Sequence, residues 1–197
     1  MSKITYTHIK KMLKECGIGY NYNTIQYTPY AGFVTAHDWD HGYETYYGYN
    51  GCRREFYYDL FLVMSCIKEY IEKCNISYFI ASPLYHDTFA VNYKACDDYY
   101  DIVSETRDFL KSNNVNPRTQ SGIIVDSSDT MTISMIIEGA FRGASCICLF
   151  SPERKVVIQP DHHFQTTFFT AHADVETSLL ADLLKSRPDL ELYSSNE

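Results

Sequence analysis

From residue 121 to residue 171 the chain offers strand after strand with only turn residues between them, and that succession commits it to a sheet. In Met131-Thr132-Ile133-Ser134-Met135 apolar side chains alternate with hydroxyls, the period-two pattern of a strand with one buried and one wet face. Gly139 and Gly143 then punctuate. Residues 144–150 are almost wholly apolar, as in a strand covered on both faces, and Ser151-Pro152-Glu153-Arg154 supplies a hairpin connection. Residues 155–159 return, Pro160 stops them, and residues 164–171 alternate Phe and Thr. The simplest topology is an antiparallel meander.

Helical periodicity flanks this region. Phe56, Leu60, Val63, Met64, Ile67, Ile71 and Cys74 form one apolar stripe, with Asp59, Lys68, Glu69, Glu72 and Lys73 largely off it. A second helix is predicted over 98–112, with Asp97, Asp98 and Asp101 in its opening turn, where the macrodipole favours acids. Ile9, Met12, Leu13 and Cys16 mark a short helix closed by Gly17. Asp174 caps a last one that carries Leu179, Leu180, Leu183 and Leu184 and stops before Pro188. Short strands are expected at 24–28, 32–36, 76–81 and 88–93, with an edge strand at 43–47. Residues 19–23 read as a turn, and the tail beyond Leu192 reads as polar. The expected fold is therefore α+β: one domain over residues 1–197, with the antiparallel β-meander of about 121–171 packed against two or three amphipathic helices.

With 197 residues there is enough chain for one full core and too little for two. No stretch approaches the roughly 18 uninterrupted apolar residues of a membrane span. The opening Met1-Ser2-Lys3-Ile4 has no apolar signal core, so an intracellular, cytoplasmic setting is expected. Seven cysteines, odd in number and set in apolar periodic segments, fit that compartment as buried free thiols. A formal charge of −8 without a basic run disfavours nucleic acid as a partner. Eighteen tyrosines, each a rigid ring with a hydroxyl, favour contacts with proteins or small ligands instead.

Reactive side chains concentrate in His37-Asp38-Trp39-Asp40-His41, and the spacing of four sets both imidazoles on one side of either a helix or a strand. A first-row metal needs a third or fourth ligand; Asp161, His162, His163, His172 and Asp174 are candidates by type, and His163 is the one assigned. No H-E-x-x-H, paired C-x-x-C, G-x-S-x-G or phosphate-binding glycine loop is present. Cys52, beside Arg53 and Arg54, is the one thiol whose sequence neighbours would lower its pKa.

The sequence leads to two functions of different class. The first is a non-enzymatic binding protein, acidic and tyrosine-rich. It would contact a partner protein or a small nucleotide-like ligand through Trp39, Tyr43, Tyr46, Tyr47, Tyr49, Arg53 and Arg54, with no cofactor. Its tyrosine and asparagine excess resembles the composition of small phage or viral accessory proteins. The alternative is a phosphoester hydrolase holding a divalent metal through His37, Asp38, Asp40, His41 and His163.

Overall fold

The computed structural model describes residues 2–21, 26–36, 53–83, 108–109, 111–113, 115, 121–141, 147–161 and 165–194, with the backbone alone at 21, 26 and 53–55. In chain order the elements are β1 (Lys3–Ile4), α1 (Tyr6–Glu15), β2 (Gly19–Asn21), β3 (Gln26–Thr28), β4 (Tyr30–Thr35), α2 (Arg53–Lys73), β5 (Tyr78–Ser82) and β6 (Gly122–Asp126). They continue with α3 (Thr130–Phe141), β7 (Cys148–Ser151), β8 (Val156–Pro160), β9 (Gln165–Phe169), α4 (Ala173–Leu184) and β10 (Glu191–Ser194). Eight strands form one sheet in the order β1-β6-β5-β7-β8-β9-β4-β10, every neighbouring pair antiparallel, and β2 and β3 make a separate hairpin. The fold is α+β, with four helices among the described residues where two or three were expected. None is long and apolar enough to cross a membrane.

The sheet is buried on both faces, and its sequence shows why. Along β5, β7 and β8 successive residues point to opposite sides and both sets are mostly apolar, and β9 adds Phe168 to one side and Phe169 to the other. Phe79, Leu149, Val156, Ile158 and Phe168 face a core shared with α2, α3 and α4. Ile80, Cys148, Phe150, Val157 and Phe169 face a smaller core closed by Ile9, Leu13 and Cys16 of α1 and by Tyr27 of the hairpin. Gly17, at φ 74°, ends α1 as expected: its N–H donates to Lys14 O at 3.0 Å, and the N–H of Ile18 donates to Leu13 O at 2.9 Å.

Four local expectations are overturned. Residues 131–135 are helical, not a strand. Ile133, Ile136, Ile137, Ala140 and Phe141 recur at helical spacing and are buried, Met131 is exposed, and the Asp129 carboxylate caps the helix by accepting from the Thr132 N–H at 3.1 Å. An alternation five residues long was too brief to outweigh that longer period. In consequence 121–171 is not one continuous meander. The chain leaves β6, crosses by way of α3 and enters β7 on the far side of β5, and the meander proper is β7-β8-β9. Second, Asp174 does not cap α4. His172 occupies that position without a side-chain cap bond, and Asp174 lies in the first turn, where the dipole still favours its charge. Third, 19–21 is a strand, completed by pairing with β3. Fourth, the tail residues Glu191–Ser194 form an edge strand on β4, with Tyr193 stacked on Phe33 at a centroid distance of 4.8 Å. The predicted strands 43–47 and 88–93 and most of the predicted helix 98–112 lie outside the described residues; Asp108, Phe109, Lys111 and Ser112 carry helical backbone.

Gly32 makes that last pairing possible. A Cβ there would meet Tyr193 O at 2.8 Å, inside contact distance, so any side chain must push β10 off the sheet. Gly32→Ala is expected to speed hydrogen exchange of the β10 amides and to cost about 1–3 kcal/mol in urea unfolding, as overpacking typically does. Unchanged exchange in β10 would show that the strand tolerates the intrusion.

Candidate functional site

Among the described residues the clearest concave feature is a half-open groove of about 890 Å³ between α2 and α3. Its floor is apolar: Leu60, Met64, Ile67 and Ile71 from α2, Ile76 beyond it, and Ile133 and Ile137 from α3. Polar groups edge it, with Ser65, Lys68, Glu72 and Asn75 on one side and Ser127, Ser128, Thr130 and Ser134 on the other. The size falls within the range of ligand sites, as does the pattern of a broad apolar lining with few polar groups.

Sequence and topology together make this groove. The apolar stripe of α2 is wide, and the groove floor is the outer boundary of the core: Leu60, Ile67 and Ile71 line the groove and are themselves buried. Phe56, Val63, Cys66 and Tyr70 are buried in the core, whereas Met64 is only partly buried, and Phe61 and Tyr57, at 67% and 51% exposure, stand at the groove. Tyr78 pairs with Asp126 across β5 and β6, so α3 begins beside the C-terminal end of α2 and runs back alongside it. At that shared end Asp126 Oδ1 accepts from Ser128 N at 2.8 Å and Ser128 Oγ at 2.5 Å, and these bonds hold the carboxyl below its usual pKa. Lys68 lies 4.0 Å from Glu72 across one helical turn, an exposed pair worth little by itself.

A second polar cluster sits on the other flank of α2. Glu176 of α4 is almost fully buried and pairs with Arg154 of the β7–β8 turn at 3.2 Å, beside buried Tyr70. Burial opposes the Arg154 charge more than any one neighbour supports it, but Glu176, Cys74 and Tyr70 together outweigh burial and the guanidinium pKa is raised. Burial first, and then the Glu176 charge, drive the Tyr70 hydroxyl far above its usual range. Tyr70 Oη, Arg154 Nε and Glu176 Oε1 make no hydrogen bond of good geometry among the described residues, although the three groups adjoin. The cluster packs α4 and the β7–β8 turn against α2.

Few of the residues singled out by sequence can be placed. Trp39, Tyr43, Tyr46, Tyr47, Tyr49, His37, Asp38, Asp40, His41 and His163 lie outside the described residues, as do Cys52 and His162. Arg53 and Arg54 form the first turn of α2, on the helix that builds the groove. Tyr58, at the end of the same aromatic run, donates to Asp189 Oδ2 at 3.0 Å. No group of three or more His, Cys, Asp or Glu side chains among the described residues could hold a metal ion. The four described cysteines, Cys16, Cys66, Cys74 and Cys148, are free thiols, and burial pushes Cys66 up to about 11, away from nucleophilic reactivity. Sequence reasoning missed the groove because its lining is ordinary Leu, Ile and Met. The only hint was a stripe on α2 wider than one contact needs.

Arg154→Ala leaves the Glu176 carboxylate buried without its cation and is expected to cost about 3 kcal/mol, near the lower end for such pairs because Arg154 is partly solvated. Arg154→Met with Glu176→Leu should recover most of that cost. Urea midpoints read both variants, and an Arg154→Ala variant as stable as the parent would mean the pair contributes nothing.

Comparison with protein-family models, with curated proteins and with solved structures gives no match to this chain.

Proposed function

We propose that the protein is a non-enzymatic binding protein and that the α2–α3 groove is its binding surface. One observation carries this reading: an apolar groove of about 890 Å³ between two helices, with the exposed rings of Tyr57 and Phe61 beside it. Leaving such rings in water forgoes roughly 1.5–3 kcal/mol apiece, which a bound apolar group would recover. Acidic composition and abundant tyrosine support the same reading, since both favour selective contacts with proteins or small ligands over contacts with nucleic acid. Free buried thiols fit an intracellular setting.

The neutral dye N-phenyl-1-naphthylamine tests the groove without involving charge. It should bind the full chain with a blue-shifted rise in fluorescence, and Phe61→Asp should weaken that binding at least about tenfold, as loss of most of one buried ring implies. The thermal midpoint should stay unchanged, because Phe61 is largely exposed. A dye signal indifferent to Phe61→Asp would remove the groove from consideration.

A further inference from the structure

The groove is long and narrow, open on one side, and unevenly charged along its length. The α2 residues lining it run from Tyr57 to Glu72, about 22 Å of helix at roughly 1.5 Å per residue. A compact ligand would fill only part of that length. Being half-open, the groove covers one face of an occupant and leaves the other in water, so the occupant must be amphipathic along its whole length. α2 flanks the whole of that length and α3, from Thr130 to Ile137, about 10 Å of it, so a third helix would find contacts for side chains at every third and fourth position.

Charge marks one end. Where α2 finishes and α3 begins, Glu72 lines the groove, Asp126 is bonded to Ser128 in the lining, and Asp129 sits between the lining residues Ser128 and Thr130. Just beyond Ile76, the Glu153 carboxylate accepts from Ser77 N at 2.9 Å and Ser77 Oγ at 2.6 Å. Lys68, the cation in the lining, lies 4.0 Å from Glu72, and nearby Lys73 is taken up by Glu69 at 3.1 Å, which leaves Asp126, Asp129 and Glu153 without a cation among these pairs. Carboxylates therefore outnumber ammonium groups at this end, in a chain of net charge −8. At the far end Tyr57 and Phe61 offer aromatic surface.

Resting on the reading of the groove as a binding surface, we propose that its occupant is an amphipathic α-helix of a partner protein, with Lys or Arg at the end that docks beside Glu72, Asp126 and Asp129. Complementary charge of this kind fixes the direction in which the helix lies and speeds encounter more than it adds affinity.

The test uses two fluorescein-labelled helical peptides of about 15 residues, matching the groove length, with the same leucine face and either lysine or glutamate on the polar face. Fluorescence anisotropy against the full chain should show the Leu/Lys peptide binding at least about tenfold tighter than the Leu/Glu peptide, with the difference shrinking as salt is raised. The triple variant Glu72→Gln, Asp126→Asn, Asp129→Asn keeps the shapes and the α3 cap, and should weaken the Leu/Lys peptide roughly tenfold, about 1.4 kcal/mol over the three charges together. Phe61→Asp should weaken both peptides. Equal or tighter binding of Leu/Glu overturns the proposal. So does Leu/Lys binding that ignores Phe61→Asp, which would place the attraction elsewhere on an acidic surface. If neither peptide binds while the neutral dye still enters the groove, the helix is refuted and the groove stands as a small-molecule site; exclusion of the dye as well refutes both.

Discussion

Burial of the sheet on both faces is the constraint on which the rest of the structure depends. An antiparallel sheet commonly keeps one face in water, but the centre of this one has apolar side chains in both directions, Phe79 and Leu149 one way and Ile80 and Phe150 the other. Each such side chain contributes roughly 1.5–3 kcal/mol when covered. A one-residue slip of any central strand would exchange the two sets between cores of different size and shape, so register is fixed from both sides. Every other element is placed by the need to cover those faces: α1 and the β2–β3 hairpin on one, α2, α3 and α4 on the other.

The groove follows from how the larger face is covered. Three helices share it, α4 held near α2 by the Arg154–Glu176 pair and by Arg187 bonding Glu69, and α3 approaching α2 from the opposite flank. On the α4 side buried charges and Tyr70 fill the seam. On the α3 side the facing residues are aliphatic and the small hydroxyls Ser65 and Ser134, which leave space between the helices that larger side chains would have closed. One helix thus carries a sealed polar seam on one flank and an open apolar trough on the other. The difference lies in the residue types that face each neighbour.

Much of this architecture was legible in the sequence. The stripe from Phe56 to Cys74 located α2, the apolar run ending at Phe150 located a strand covered twice, and Gly17 marked the end of α1, because in each case the pattern ran long enough for one period to win. Where patterns were short, tertiary context decided. Residues 131–135 satisfy both periods, and the cap at Asp129 with Ile136, Ile137 and Phe141 further on tipped them to helix. Glu191–Ser194 became a strand because β4, with Gly32 at the contact, accepts it closely. The candidate site was less legible. Sequence reading attends to residues with distinctive chemistry, and it gathered His37, Asp38, Asp40, His41 and the neighbouring tyrosines. The groove is built from Leu60, Met64, Ile71 and Ile137, whose chemistry is the same whether they line a surface or a core.

The most direct measurement is ¹³C-methyl NMR of the full chain titrated with the neutral naphthylamine dye. A binding groove between α2 and α3 requires the methyl signals of Leu60, Met64, Ile71, Ile133 and Ile137 to shift together and saturably, while Ile80 and Val157 on the opposite face of the sheet stay still. Shifts centred on that opposite face, or spread evenly over both cores, would contradict the assignment of the groove as the binding surface.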